Sequence, residues 1–198
     1  MKATRVMFRS SGVRLEGVLT VPQARKPLPA VIVCHPHSAY GGSMDNSVVV
    51  EVCDALSRAS LISFRFNSRG VGRSEGEFSQ GAGEPEDVDA AISFVSAAEE
   101  VNSTAIGLAG YSAGAGSALP VGVKEARIKA LAAISPPLSM FDFEFLRGSL
   151  KPKFLISGSR DSFTPISQFT RFCHDLPKPR EYITVEGADH FWRGYETT

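Results

Sequence analysis

Short runs of apolar residues, many of them β-branched, recur along the chain and predict the strands of a sheet. Residues 5–9 and 15–21 flank a Ser-Ser-Gly turn and predict an N-terminal hairpin. Continuous apolar runs, of the kind buried on both faces of a parallel sheet, follow at 30–34, 61–66, 104–109 and 153–157, with shorter candidates at 131–134 and 182–185. The pattern therefore predicts a sheet that begins with antiparallel strands and continues with parallel ones.

Helical patterns lie between these strands. Apolar residues recur at helical spacing over 47–59, and residues 84–98 begin with acidic side chains around Pro85, which suits a helix N-terminus. A further helix is predicted to begin at Ala113 and to be interrupted by Pro120. This alternation of strands and helices predicts an α/β fold with helices on both faces of the sheet.

The chain is predicted to form one domain over residues 1–198, because its length suits a single core and no repeat or low-complexity linker divides it. One connection, residues 135–150, is unusually apolar for a loop. We interpret it as a small lid insertion, with a core helix as the alternative.

The composition argues against several classes of protein. Lys plus Arg number 21 and Asp plus Glu also number 21, so no overall charge favours nucleic acid or a membrane surface as a partner. The three cysteines, Cys34, Cys53 and Cys173, are far apart and predict buried, reduced thiols rather than a disulfide framework. The N-terminus lacks the apolar core of a signal peptide, so a cytoplasmic location is the expectation.

The most informative motif is GYSAG at residues 110–114, which follows a predicted strand and precedes a predicted helix. In that setting a G-x-S-x-G sequence forms a sharp turn that exposes its serine, here Ser112, as a nucleophile. Short Gly/Ser patterns also arise by chance, so the motif carries weight only if the chain supplies a base and an acid for the serine.

Two histidines follow Ser112, and they differ in their setting. His190 comes directly after the last predicted strand, at the sheet edge where parallel α/β folds place their chemistry, whereas His174 lies in a helical stretch. Asp161 also follows a strand and is predicted to lie at the same edge. The weaker acidic candidates are Asp142, Asp175 and Asp189.

The loop at residues 35–42 is the candidate for an oxyanion hole. Backbone N–H groups that stabilise a developing oxyanion often make the largest single catalytic contribution, and Ala113 is predicted to supply one of them. Pro36 has no N–H, so His37 is the predicted second donor, with Ser38 as the alternative. The pair His35 and His37 also fits a metal site superficially, but the chain lacks the further ligands of such sites, and no metal is expected.

Four motifs together resemble those of the α/β-hydrolase superfamily: VCHPH at 33–37, NSRGVGRS at 67–74, GYSAG at 110–114 and GADHF at 187–191. The order of Ser112, Asp161 and His190 along the chain also agrees with that superfamily. More narrowly, the chain is similar to small, nearly capless hydrolases related to dienelactone hydrolase and the prolyl oligopeptidase catalytic domain. The resemblance implies an eight-stranded, mostly parallel sheet and hydrolysis of carboxylic esters, and no cofactor is expected. In the family, Asn67 and Arg69 would brace the nucleophile region, with simple surface hydrogen bonding as the alternative interpretation.

The chain departs from this pattern in two ways. Dienelactone hydrolases use a cysteine nucleophile where this chain has Ser112, so their lactone substrate is not carried over. Such enzymes also continue into a C-terminal helix after the histidine, and here that helix is apparently missing. Its absence is expected to expose one sheet face or to leave His190 poorly held. Truncation of the chain and replacement of the helix by a partner subunit in a homodimer are the two candidate explanations.

The sequence therefore predicts a serine hydrolase of the carboxylesterase type that acts on small-molecule esters. Ser112 is the predicted nucleophile, His190 the base and Asp161 the residue that orients it. Thioesterase, lactonase and peptidase activities use the same apparatus, and a non-catalytic binding protein is the alternative of a different class. The candidate pocket residues are Tyr111, Met140, Phe141, Phe143 and Phe191, with a place in the core as the competing interpretation of the aromatic cluster.

Overall fold

A computed structural model describes residues 1–79 and 81–197. Its centre is a sheet formed by the strands Lys2–Ser10 (β1), Val13–Val21 (β2), Leu28–Cys34 (β3), Ile62–Phe66 (β4), Val101–Tyr111 (β5), Ile128–Ile134 (β6), Lys153–Gly158 (β7) and Arg180–Val185 (β8). The strand order is β1-β2-β4-β3-β5-β6-β7-β8. β2 pairs antiparallel with β1 and β4, and every other pairing is parallel. The predicted eight-stranded, mostly parallel sheet with an antiparallel N-terminal hairpin is confirmed.

In the part of the chain that the structure describes, four α-helices connect these strands: Ser47–Arg58 (α1), Glu84–Ser96 (α2), Ala113–Lys124 (α3) and Ile166–Asp175 (α4). The side chain of Asn46 caps α1 by accepting a hydrogen bond from the Val48 N–H at 3.0 Å. Acidic residues and Pro85 occupy the first turn of α2, as the sequence predicts. None of the helices in the described ranges has the length and apolar character needed to span a membrane.

The prediction that Pro120 interrupts the third helix is wrong, because α3 continues to Lys124. Proline removes one backbone hydrogen bond from a helix interior, a cost that packing can outweigh. The buried residues Ala115, Ala118 and Leu119 hold α3 in the core, and Gly122 brings the helix close to Leu131 and Leu108 of the sheet. Tertiary packing therefore overrides the local preference of the proline.

The two faces of the sheet are covered unequally. On one face, α2, α3 and α4 enclose the main core, which includes Ile32, Phe64, Ile92, Leu108 and Phe169. On the other face, α1 packs on β3 and β4 through a smaller cluster that includes Val33, Val49 and Trp192. Helices lie on both faces as predicted, but within residues 1–79 and 81–197 α1 is the only α-helix on the second face.

An apolar groove of about 490 Å³ lies open on the face of α1. Gly107, Ala109, Ala130 and Ala132 form its floor, and Ile183 beside it is 50% exposed. After β8 the described residues form turns up to residue 197. Part of this sheet face is therefore exposed among the described residues.

The apolar segment 135–150 forms turns and a short 3-10 helix at Glu144–Gly148. Phe143 and Leu146 are buried in the main core. The hydroxyl of Thr164 donates to the Pro136 carbonyl at 2.6 Å and accepts from the Leu138 N–H at 2.9 Å. The base of the segment is thus tied to the loop that follows β7, and a role as a lid stays a prediction.

Candidate active site

Ser112 directly follows β5 and is the N-cap residue of α3. Its backbone has φ 53°, a left-handed conformation that a non-glycine residue adopts only when its surroundings require it. A Cβ atom at Gly110 would lie 2.4 Å from the backbone nitrogen of Ala115, and one at Gly114 would lie 2.4 Å from the carbonyl oxygen of His35. Only glycine fits at either position, which explains why the turn needs a glycine on each side of Ser112.

The structure brings the three predicted catalytic residues together. The hydroxyl oxygen of Ser112 lies 2.8 Å from Nε2 of His190. Nδ1 of His190 lies 3.0 Å from Oδ1 and 2.9 Å from Oδ2 of Asp161. The His190 and Asp161 side chains are almost entirely buried, so their interaction is shielded from water. The arrangement can pass a proton from a serine hydroxyl to an imidazole that faces a carboxylate.

Asp161 is held as an ionised acceptor. Oδ1 accepts the N–H groups of Phe163 at 2.9 Å and Thr164 at 3.1 Å, and the Ser157 hydroxyl donates to Oδ2 at 3.3 Å. Burial raises the pKa of Asp161, but the hydrogen bond and charge of His190, followed by the Phe163 N–H and the Ser135 hydroxyl, lower it below its ordinary value. Asp161 therefore carries a negative charge at neutral pH.

Tyr111 supports the backbone of His190 through a hydrogen bond. Its hydroxyl donates to the His190 carbonyl oxygen at 2.8 Å, and the side chain is buried in the smaller core cluster. The predicted place of Tyr111 in a substrate pocket is therefore wrong, because its ring is in the core and its one polar atom is engaged. Burial also raises the pKa of Tyr111, so the phenol stays protonated and remains a donor.

The other predicted pocket residues divide into two groups. Phe143 is buried in the main core, which contradicts a pocket role for it, since a substrate cannot reach it without displacing core contacts. Phe141 lies over Gly116 in the first turns of α3, while Met140 is 53% and Phe191 49% exposed. Phe191 lies 5.4 Å from the His190 ring between centroids. A substrate contact for Met140, Phe141 and Phe191 stays a prediction.

The predicted oxyanion loop follows β3. The backbone N–H groups of His37 and Ala113 donate to no protein acceptor among the described residues, so both are available to a ligand. The His37 side chain caps a single 3-10 turn at Ser38–Tyr40 by accepting the Ala39 N–H at 3.2 Å. The assignment of His37 or Ser38 as the second oxyanion donor stays a prediction.

His35 is a buried structural residue. Its Nδ1–H donates to the Pro36 carbonyl at 2.6 Å, and its Nε2 accepts the Ser68 N–H at 3.2 Å, which links the loops after β3 and β4. Burial lowers the pKa of His35, so the ring is neutral at neutral pH. Both ring nitrogens are thus occupied, and residues 1–79 and 81–197 contain no cluster of three or more histidine, cysteine or acidic side chains placed to hold a metal.

Asn67 and Arg69, in the loop after β4, form hydrogen bonds that fix neighbouring segments of the chain. Oδ1 of Asn67 accepts the Met44 N–H at 2.7 Å, and its amide donates to the buried Glu16 at 2.8 Å. Arg69 donates to both carboxylate oxygens of Asp87, whose side chain is fully buried. The sequence analysis did not identify Glu16 and Asp87 as the buried carboxylates that bind Asn67 and Arg69. The acidic first turn of α2 was a usable signal for Asp87.

The alternative candidates for the catalytic base and acid are not part of the Ser112–His190–Asp161 contact. His174 has a side chain that is 78% exposed on α4, and Asp175 next to it is also exposed. Asp142 accepts the N–H of Glu144 in an exposed turn, and Asp189 accepts the N–H of Phe191. Asp142 and Asp189 therefore form turns, as short acidic side chains commonly do.

Comparison with known proteins places this arrangement in context. Residues 11–192 match the family model described as X-Pro dipeptidyl-peptidase (S15 family). An uncharacterized protein of Rickettsia prowazekii is 32% identical, over 98% of this chain and 83% of that protein. The structure of an α/β serine hydrolase homologue from Coxiella burnetii is 31% identical with a TM-score of 0.89, and covers 99% of this chain and 93% of its own. An α/β serine hydrolase without lid from Xanthomonas campestris is 27% identical with a TM-score of 0.87, over 99% and 89% of the two chains.

Proposed function

This chain belongs to the S15 family of the α/β-hydrolase superfamily, and we propose that it is a serine hydrolase of the carboxylesterase type. The observation that carries the proposal is the continuous contact from Ser112 Oγ to His190 Nε2, at 2.8 Å, and from His190 Nδ1 to Asp161. A serine hydroxyl in contact with a buried histidine–carboxylate pair, beside backbone N–H groups without a protein acceptor, is what acyl transfer requires.

The reaction proceeds through an acyl-enzyme intermediate. His190 Nε2 takes the hydroxyl proton of Ser112 as its oxygen attacks the ester carbonyl carbon, and the N–H groups of Ala113 and His37 stabilise the oxyanion. Collapse of the tetrahedral intermediate breaks the ester C–O bond, and His190 gives its proton to the leaving alcohol. A water molecule, deprotonated by His190, then attacks the acyl carbon and releases the acid, and the proton returns to Ser112. Asp161 stays ionised throughout and stabilises the imidazolium.

The proposed substrates are small or medium neutral esters. The rings of Phe163 and Phe191 lie 4.4 Å and 5.4 Å from the His190 ring between centroids, so uncharged groups of a substrate would meet aromatic surface beside the base. Peptide hydrolysis is the second candidate, because the family model that matches residues 11–192 takes its name from X-Pro dipeptidyl-peptidases. The same attack and leaving-group steps apply to an amide bond.

Active-site labelling tests the proposal. A fluorophosphonate probe should label the wild-type protein and should not label Ser112→Ala or His190→Ala. Ser117→Ala is the matched control, because it removes a hydroxyl one turn along α3 that bonds only to the Ala113 and Gly114 carbonyls. Labelling of Ser112→Ala would exclude Ser112 as the nucleophile, and a wild type that never labels would favour a binding protein.

Substrate panels then separate the candidate activities. p-Nitrophenyl esters of increasing acyl length should give the highest kcat/KM at short or medium chains, and an optimum at long chains would contradict the proposed class. X-Pro p-nitroanilides serve as the comparison. Faster cleavage of these amides than of any ester would replace the carboxylesterase proposal with a peptidase.

A further inference from the structure

The two edge strands of the sheet, β1 and β8, differ in character. β1 carries Lys2, Arg5 and Arg9, and charged side chains on an edge strand discourage pairing with another chain. β8 has the sequence REYITV, in which aromatic and β-branched residues favour a strand. At its centre Tyr182 is 36% and Ile183 50% exposed. β8 is therefore the less protected edge of the sheet.

The backbone of alternate residues of β8 faces away from the sheet. The carbonyl of Val185 accepts the Ser159 N–H at 2.9 Å, so the backbone of Val185 faces the β7 side. Because backbone groups alternate in direction along a strand, Ile183 also faces β7, whereas Tyr182 and Thr184 face outward. Among the described residues, the N–H and carbonyl groups of Tyr182 and Thr184 have no hydrogen-bond partner. Such a row of free groups is a template for one more strand.

Open grooves lie on both faces of the sheet beside β8. On the α1 face, Ile183 lines the apolar groove of about 490 Å³. On the other face, a groove of about 630 Å³ lies between α4 and Tyr182, whose ring lies 6.2 Å from that of Phe169 between centroids. The surface of both faces thus continues to the edge, where a further strand would cover it.

The charged residues at the two ends of β8 fit a second copy of the same strand. Arg180 begins the strand, and the exposed Glu186 directly follows it. The Arg180 guanidinium donates from Nε and Nη2 to two carbonyls of α4, at 2.6 Å each, which leaves Nη1 for another acceptor. An antiparallel pair of identical strands has two-fold symmetry, so the first residue of each strand meets the end of the other.

We propose that β8 pairs antiparallel with β8 of a second copy of this chain, with the two Ile183 residues opposite each other. In this register the outward groups of Tyr182 bond to those of Thr184 in the other copy. The same register places Arg180 opposite Glu186 at both ends of the pair, as charge complementarity requires. In the two neighbouring registers that also pair the outward groups, Arg180 would face Thr184 or Ala188 instead. The inference goes beyond the proposed function and does not depend on it.

Disulfide cross-linking tests the register. Ile183 lies at the two-fold axis in a non-hydrogen-bonded pair, where Cα atoms are about 4.5 Å apart and within reach of a disulfide. Ile183→Cys should therefore give a disulfide-linked dimer on mild oxidation. Glu181→Cys is the matched control, because Glu181 is exposed on the same face of β8 but would lie about 13 Å from its counterpart, four residues along the strand. The native thiols of Cys34, Cys53 and Cys173 are buried and should not react.

Light scattering on the wild type measures the assembly directly and should give the mass of a dimer, twice 21.2 kDa. Thr184→Pro removes one outward N–H, which an edge strand tolerates, and should give a monomer. If this variant does not fold, Ile183→Lys places like charges at the two-fold axis and should have the same effect. Glu186→Arg should raise the dissociation constant of the dimer at least about tenfold, whereas Glu99→Arg, the same charge change at an exposed turn before β5, should not.

Three results would overturn the inference. A wild type that is monomeric at every concentration, with no cross-link in Ile183→Cys, would refute pairing with a second copy. A dimer that persists in folded Thr184→Pro and Ile183→Lys would place the interface elsewhere. Equal cross-linking of Ile183→Cys and Glu181→Cys would refute the register. None of these results depends on labelling of Ser112, so this inference and the proposed function fail separately.

Discussion

Gly114 joins the nucleophile turn to the oxyanion loop, and its replacement by alanine tests whether that contact matters. A Cβ atom at Gly114 would lie 2.4 Å from the His35 carbonyl oxygen and 2.6 Å from that of Cys34. Because Cβ contacts below 3.0 Å are essentially never seen, the gap between α3 and the loop must open by about 0.6 Å, the difference between 2.4 and 3.0 Å. Both oxygens are backbone atoms, so no side-chain rotation relieves the overlap.

Two opposing effects set the size of the expected loss of stability. Overpacking of this kind costs about 3 kcal/mol at the upper end of its usual range, since the strain falls on backbone. Alanine is a better helix former than glycine by about 1 kcal/mol, and Gly114 lies in the first turn of α3. The free energy of unfolding of Gly114→Ala should therefore fall by about 2 kcal/mol.

The same displacement should lower activity. The loop that moves carries the predicted His37 donor, and a misplacement of about 1 Å typically costs on the order of a hundredfold in rate. For the shift expected here, kcat for p-nitrophenyl ester hydrolysis should fall at least about tenfold. Urea unfolding and steady-state kinetics on the same preparation measure both effects.

Gly148→Ala is the matched control, because an added Cβ there meets no atom within 4 Å. Its stability should stay within about 0.5 kcal/mol of the wild type, with kcat unchanged. If Gly114→Ala also kept wild-type stability and kcat, the close approach of α3 to the loop after β3 would have no part in the site.

Three further predictions concern residues outside the triad. Burial lowers the pKa of His35 from its ordinary value of 6.5, so the unfolded chain binds a proton that the folded chain does not, and stability should fall as the pH drops from about 7 to about 5. Urea unfolding at both pH values should show that the free energy of unfolding falls less between about pH 7 and pH 5 in His35→Gln than in the wild type. An equal fall in the two proteins would contradict this origin. Arg69→Ala should lower the free energy of unfolding by about 3 to 5 kcal/mol, because it leaves the buried Asp87 without its ion-pair partner. Arg14→Ala, which removes an exposed ion pair with Glu75, should cost much less, and equal losses would refute the reasoning. Burial raises the pKa of the thiols of Cys34, Cys53 and Cys173 to about 11 or 12. Ellman's reagent should therefore label none of them in the native protein at about pH 8 and all of them in urea. Fast labelling of the native protein would contradict this expectation.

The strands and the candidate site residues were predictable for a physical reason. A parallel strand buried on both faces must be apolar along its length, and such runs stand out in β3, β5 and β7. The carboxyl ends of parallel strands meet at one edge of the sheet, so polar residues directly after them must lie close together. Ser112, Asp161 and His190 are polar residues that follow β5, β7 and β8, so their proximity at one edge of the sheet was predictable.

What could not be predicted depends on contacts between distant parts of the chain. Tyr111 and His190 are 79 residues apart, and nothing in GYSAG indicates that the tyrosine hydroxyl supports the His190 carbonyl. Ser135 and Trp192 are 57 residues apart and lie in loops whose local sequence predicts only turns. The continuation of α3 through Pro120 likewise depends on packing against β5 and β6 rather than on the helix sequence.

The same difference separates the chemistry of the site from its specificity. The reacting atoms are held by packed groups, because the backbone conformation of Ser112 is one that only a packed surrounding imposes and the side chains of His190 and Asp161 are almost entirely buried. The candidate substrate contacts Met140 and Phe191 are about half exposed and have few packing constraints. If the proposed function holds, substitution at these two positions should change substrate preference with little loss of stability, whereas substitution of Asp161 or His190 should lower the rate for every substrate alike.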